Sequence, residues 1–209
     1  MAGVFVTFEG GEGTGKSTQL ELLADTLQAQ GMTVVKTREP GGTPEAEALR
    51  SLLVNGDPGR WTAEAEALLN YAARSSHLLK VIRPALAAGH TVLCDRFSDS
   101  TRAYQGYAGG CDMALLDSLE ITITGSTRPD LTFIFDVDPA LGLVRAKSRG
   151  DGSEDRYERK GLAFHEKLRV GFLKIAAAEP RRCRIVDASG SIEDVKAFIA
   201  AAAEQLFHG

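Results

Sequence analysis

Residues 4–28 read VFVTFEGGEGTGKSTQLELLADTLQ, and the parsing of this stretch decides the fold. Val4–Phe8 is β-branched and aromatic, the composition of a short strand. Gly10, Gly11, Gly13 and Gly15 interrupt it. Leu20, Leu23, Ala24 and Leu27 then recur at helical spacing, and Gly31 supplies the stop. Gly10 to Ser17 spells G-x-x-x-x-G-K-S after a predicted strand and at the opening of a predicted helix, the context in which this octapeptide cradles phosphate. Glycines let backbone N–H groups converge on phosphate oxygens, and the helix presents its positive end to the anion. Lys16 can reach the outer phosphates of a nucleotide, and the Ser17 hydroxyl can ligate Mg²⁺.

Outward from this loop, Thr33–Thr37, Thr91–Cys94, Leu131–Val137 and Arg184–Val186 read as further strands, separated by segments of helical period. That alternation predicts an α/β fold with a five-stranded parallel sheet covered by helices on both faces, in three layers. Ligands of such sheets collect at the carboxyl ends of the strands. A single domain over residues 1–209 is expected, with no linker. A long helix is predicted over 64–87, with Leu68, Ala72, Leu79 and Leu86 on one stripe. The charged, glycine-bearing run SRGDGSEDRYE (148–158) reads as a mobile flap.

The chain has 209 residues, 44% of them hydrophobic and 25% charged, enough for a real core. Its net charge of −4 argues against a general nucleic-acid or membrane-surface binder. Cys94, Cys111 and Cys183 are odd in number and include no CxxC pair. Disulfide frameworks and structural zinc are therefore disfavoured and a reducing compartment is expected. There is no basic-then-apolar leader and no apolar run of spanning length, so the expected address is the cytoplasm.

A phosphate loop leaves a switch GTPase, a motor ATPase and a small-molecule kinase open. The guanine-reading N-K-x-D is absent and the chain is short for a motor, whereas a kinase needs a second anion site. Candidates lie at two strand ends: Arg38 and Glu39 in TREPGGT, and Asp95 and Arg96 in DRFSDSTRAYQG. Asp95 can steady Mg²⁺ or its waters, and Arg96 can grip a phosphate with two nitrogens. In the long helix, Asn70, Arg74 and His77 fall opposite the leucine stripe. Periodicity alone leaves that face either solvated or functional.

Taken together, FEGGEGTGKST (8–18), TREPGGT (37–43), YAAR (71–74), DRFSDSTRAYQG (95–106), RPDLTFIFDVDP (128–139) and DRYE (155–158) resemble the bacterial thymidylate kinase family, in order and in spacing, nearly end to end. The resemblance implies a P-loop kinase fold with a short lid near 146–158, and transfer of phosphate from ATP to dTMP with Mg²⁺, giving dTDP for dTTP synthesis. ATP would lie on Gly10, Gly11, Glu12, Gly13, Thr14, Gly15, Lys16, Ser17 and Thr18, with Arg145 beside adenine. The dTMP phosphate would meet Arg50 and Arg96, and the thymine edge would meet Arg74 and Gln105, helped by the Thr101 hydroxyl. Glu39 would organise the acceptor side, Glu12 would stand near the sugar and the transferred phosphate, and Ser17 and Asp95 would hold the metal.

The four variable loop residues, Gly11 to Thr14, carry no base. Related enzymes place the cation that arrives in the transition state either in this loop or in the lid, so the resemblance implies the lid here: Arg149 first, Arg156 second. One departure stands out. Asn70 occupies the position where the family keeps a phenylalanine that stacks on the base, leaving Tyr71 or another aromatic to compensate. Family members commonly form homodimers, so that state is expected too. The rival readings are another nucleoside monophosphate or deoxynucleoside kinase and, from a different class, a non-catalytic ATP-binding switch. Cys94 and Trp61 are expected to be packing residues, and the proposed chemistry needs neither His77 nor His165.

Overall fold

The computed structural model describes residues 3–149 and 155–208. Strands β1 (Val4–Gly10), β2 (Val34–Arg38), β3 (Thr91–Asp95), β4 (Leu131–Asp136) and β5 (Cys183–Asp187) all run parallel, in the order β2-β3-β1-β4-β5. The helices between them are α1 (Lys16–Ala29), α2 (Pro44–Val54), α3 (Ala63–His77), α4 (Arg83–Ala87), α5 (Ser98–Thr101), α6 (Met113–Leu119), α7 (Pro139–Arg149), α8 (Leu162–Ala178) and α9 (Ile192–His208). Each strand expected from the sequence is present, with ends shifted by at most two residues.

Alternation along β1 explains the three layers. Val6 and Phe8 face one side, where Leu20, Leu23 and Leu27 of α1 and Val195 and Ile199 of α9 cover them. Phe5 faces the other side, against Leu78, Ile82 and Phe97. Farther along that side, Ile134 of β4 packs on Leu168, Phe172 and Ile175 of α8. With β1 central, the chain goes first to the edge strand β2, returns to place β3 between β2 and β1, and then builds outward on the other side through β4 and β5. The loop after β1 therefore lies where the strand order reverses, the crevice that open parallel sheets use for ligands.

The long helix departs from expectation in one respect. Its leucine stripe does not point inward: Leu68 is 52% exposed and Leu79 is 67% exposed, while Ala67, Tyr71, Arg74 and His77 are buried. The polar face can turn inward because the buried Arg74 and His77 both pair with the buried Glu39, which removes the penalty of burying them alone. A π-helical turn over Leu78–Ile82 then links α3 to α4 and changes the phase, so that Leu86 joins the core the other leucines avoid.

Candidate active site

The phosphate loop is held open by close backbone approaches. Gly10 ends β1 at φ 137°, and a Cβ there would lie 2.6 Å from the Phe135 carbonyl oxygen. Gly13, at φ 67°, would put a Cβ 1.9 Å from the Gly142 oxygen. Only glycine fits at either place. Helix α1 starts at Lys16 with no side-chain cap and no acid in its first turn, leaving its N–H groups to an anion. Lys16 Nζ donates to the Gly11 carbonyl (2.7 Å) and to Thr14 Oγ1 (3.2 Å). Burial and the neighbouring Arg96 pull the Lys16 ammonium down to about 8. Ser17 Oγ donates to Asp95 Oδ2 at 2.5 Å, so the two expected metal ligands meet across the ends of α1 and β3.

Beside this loop lies a cavity of about 660 Å³, counting its open mouth, walled by Glu12, Glu39, Arg50, Asn70, Arg74, Arg96, Thr101 and Gln105 among others. Every residue the sequence assigned to the acceptor lines it. A second cleft, of about 1160 Å³, runs from Ser17 and Asp95 past the end of β2 and shares Glu39, Arg50 and Arg96 with the first. The two spaces therefore adjoin along the edge that carries these three residues.

Arg96 is the hinge of the arrangement. It sits at φ 69°, the one non-glycine residue with positive φ among the described residues, a conformation that persists only where its surroundings enforce it. Its N–H donates to the Phe8 carbonyl. Its guanidinium donates to Gly10 O (2.6 Å), Ser100 Oγ (3.2 Å) and Glu12 Oε1 (3.1 Å). Burial raises the Glu12 carboxyl, but Arg96, Lys16 and the Tyr104 hydroxyl outweigh it and hold the group down at about 2. The turn after Arg96 is pinned from below by Glu9, whose carboxylate accepts from Phe97 N (2.7 Å) and Ser100 Oγ (2.5 Å). Burial first, and then the charge of Asp99, push the Glu9 carboxyl up to about 8.

Arg74 forms the opposite wall. Its Nε donates to Glu39 Oε2 (2.7 Å) and its Nη2 to Thr101 Oγ1 (2.9 Å), while its guanidinium lies 4.5 Å from the Tyr71 ring centre and 5.0 Å from that of Phe97. Its Nη1 is buried and makes no hydrogen bond. The other oxygen of Glu39 pairs with His77 Nδ1 (3.0 Å), and His77 Nε2 meets Thr37 Oγ1 (2.6 Å), so His77 is a structural strut of the acceptor wall. Arg50 Nη1 donates to the Pro40 carbonyl. Asn70 lines the cavity, with its amide nitrogen on the Glu66 carbonyl. Tyr71 does not line it; its hydroxyl donates to Glu120 on the far side of α3. The cavity's aromatic residues are instead Phe97, Tyr104 and Tyr157.

The flap assignments divide. The Arg149 side chain and residues 150–154 lie outside the described residues. Arg156 is fully buried, with its nitrogens on the carbonyls of Leu53, Asp57 and Pro58 and on Glu66 Oε1 (2.6 Å). Occupied in this way, the guanidinium clamps the α2–α3 connection. Arg145 lines a groove of about 780 Å³ on the outer side of the loop, with Gly13, Thr18, Gln19 and the β5–α9 turn, and donates to the Ala188 carbonyl. Gln19, which donates to the Ile192 carbonyl and so fastens that turn, went unread in the sequence, as did Glu9 and Glu66.

A glycine loop at the strand switch point, adjoining an arginine-walled cavity, defines a P-loop protein of the nucleotide kinase type. The family profile described as thymidylate kinase matches residues 8–199. The thymidylate kinase of Caulobacter vibrioides is 55% identical over 94% of this chain and 94% of its own, and that of Ruegeria pomeroyi is 52% identical over 93% and 92%. The crystal structure of thymidylate kinase from Ehrlichia chaffeensis superposes with a TM-score of 0.79 at 35% identity, covering 98% of this chain and 99% of that one. The chain belongs to the thymidylate kinase family.

Proposed function

We propose that the chain transfers the γ-phosphoryl group of ATP to the phosphate of dTMP, forming dTDP and ADP. One observation carries the acceptor assignment. The cavity wall combines a buried arginine nitrogen without a partner, Arg74 Nη1, with the amide oxygen of Gln105, which accepts no protein hydrogen bond among the described residues. A donor and an acceptor in one cavity complement the O4 and N3–H of thymine. The phosphate end of the ligand would then meet Arg96 and Arg50, on the edge shared with the cleft beside Ser17 and Asp95.

In this reading a dTMP phosphate oxygen attacks the γ-phosphorus in line, and the bond to the β–γ bridging oxygen breaks. Such a transition state is loose, so the protein contributes mainly position and charge. The attacking phosphate is already ionised near neutral pH, and no general base is assigned. Lys16 covers the outer phosphates, the loop N–H groups hold the remainder, and Glu12 fixes the Arg96 guanidinium. Arg149, at the end of α7, supplies the late cation, because the loop offers none and Arg156 is engaged elsewhere. The Ser17 hydroxyl and Asp95 carboxylate are hard oxygen donors, the set Mg²⁺ takes alongside substrate phosphates. When bound there, the ion would withdraw charge from those phosphates. The groove at Arg145 and Ala188 suits adenine.

We also infer one domain, since donor and acceptor groups hang from the same sheet. A homodimer is favoured by the exposed Leu68 on α3 and Leu79 on the π-helical turn after it, together with Ile121, which is 72% exposed. A solution mass of twice one chain would test it. A cytoplasmic address agrees with the three unpaired cysteines. Among the described residues, no helix is long and apolar enough to cross a membrane. ADP release measured with ATP and, separately, dTMP, dUMP, dGMP or thymidine tests the function. Release should follow dTMP strongly and dUMP partially, since one methyl group is worth only ~1–3 kcal/mol. Acceptor-independent release, or a preference for thymidine or dGMP, would contradict it.

A further inference from the structure

Glu66 is an acid that neither the phosphate chemistry nor the acceptor phosphate needs, yet it is 1% exposed and saturated with donors. Its Oε1 accepts from Arg156 Nη2 (2.6 Å) and Lys160 Nζ (3.0 Å). Its Oε2 accepts from Gln105 Nε2 (2.8 Å) and the Tyr157 hydroxyl (3.1 Å). Two oxygens on α3 thus use four lone-pair sites on donors from two other parts of the chain: the stretch after α5 and the segment 155–160.

We propose that Glu66 is a specificity-positioning residue that fixes the orientation of the Gln105 amide. A primary amide can present either its oxygen or its NH₂ group to a ligand, and the hydrogen-bond network decides which. A carboxylate whose two oxygens already face four donors can only accept. Turning the Gln105 oxygen toward it would set two acceptors against each other in a buried place, leaving both unsatisfied. The Tyr157 hydroxyl enforces the same choice: it spends its proton on Glu66 and accepts the second contact from Gln105 Nε2, at 3.3 Å. The amide NH₂ is therefore committed to the protein, and Gln105 offers the cavity only an acceptor. An acceptor at that place requires a ring N–H on the ligand. Thymine and uracil supply one at N3, whereas cytosine presents a lone pair there. Arg156 and Lys160 are the counter-charges paired with Glu66, so the segment 155–160 takes part in base selection without touching the base edge. This inference rests on the proposed acceptor assignment.

The test is the ratio of kcat/KM for dTMP to that for dCMP. In Glu66→Gln the new amide can donate as well as accept, so Gln105 is free to turn over. The ratio should fall by about tenfold or more, mostly through KM for the two acceptors, with kcat on dTMP within a fewfold of wild type. In a Gln105→Leu background the same change should leave the ratio where Gln105→Leu alone put it, because the amide it acts through is gone. Glu66→Asp keeps the charge for Arg156 but withdraws the oxygen from Gln105, and it carries the test with the same expected direction if Glu66→Gln does not fold. A folded Glu66 variant that loses activity equally on both nucleotides, with the ratio unchanged, shows a merely structural acid and overturns the proposal. So does an additive effect in the Gln105→Leu background. A wild-type protein that does not phosphorylate dTMP sinks the underlying function instead, and is told apart by failing before any substitution is made.

Discussion

Replacing Arg74 separates its structural job from the base-binding job proposed for it. The residue is 1% exposed, and its ion pair with Glu39 is equally buried. Arg74→Ala leaves that carboxylate with His77 alone, and breaking a buried pair from one side typically costs ~3–5 kcal/mol. For a chain of this size each kcal/mol moves the midpoint by ~2–4 °C, so thermal unfolding should shift down by roughly 6–20 °C. Arg74→Lys keeps a cation for Glu39 but has no fork to reach Thr101 and the base at once. Its stability should lie much closer to wild type. It loses the one donor held back for a ligand, and a hydrogen bond from a charged group is worth ~1.5–3 kcal/mol. At ~1.4 kcal/mol per tenfold, kcat/KM for dTMP should fall by roughly 10- to 150-fold, with KM for ATP unchanged. The assays are a thermal melt and steady-state ADP release with each substrate varied in turn. A lysine variant with wild-type dTMP kinetics would refute the assignment of this cavity to the base. An alanine variant melting within about 2 °C of wild type would refute the energetic account of the pair.

Three further outcomes follow from the same geometry. Arg149→Ala should lower kcat by about 100-fold or more at unchanged melting temperature, whereas Arg156→Ala should first lower the melting temperature; the reverse pattern would return the late cation to Arg156. Because the Lys16 ammonium sits at about 8 in the free protein, kcat/KM for ATP should decline as pH rises through that value, where the cation is lost. A profile flat from pH 7 to about 10, the ordinary lysine range, would contradict that environment. Asn70→Phe should lower KM for dTMP severalfold by adding a ring to the cavity wall, an aromatic contact being worth ~0.5–1.5 kcal/mol; an unchanged or raised KM would mean that Phe97, Tyr104 or Tyr157 already fills the stacking role.

The strands and the loop were legible because they depend on local pattern: β-branched runs, glycines at fixed offsets, and a lysine and serine at the helix start. Motif resemblance singled out Glu39, Arg50, Arg74, Arg96 and Gln105, and the structure brings these five to one cavity. The inward face of α3 was not legible. A helical wheel separates Leu68 and Leu79 from Arg74 and His77 but does not say which side meets the sheet, and apolar content points the wrong way. What decides it is Glu39, 35 residues from Arg74 in sequence, a pairing no period encodes. Glu66 was hidden for the same reason, since its donors lie between 39 and 94 residues away. Glu9 stands one residue before the phosphate loop and reads as the tail of a strand. Its work on Phe97 and Ser100 emerges only once β1 and β3 lie side by side.

In the proposed reaction, two anion-binding spaces flanking Arg96 pass a phosphoryl group from one nucleotide to the other. Labelled phosphate in the γ-position of ATP tests this most directly. With dTMP present, the label should appear in the β-phosphate of dTDP, in amounts equal to the ADP formed. Label released as inorganic phosphate at a rate indifferent to dTMP would contradict it.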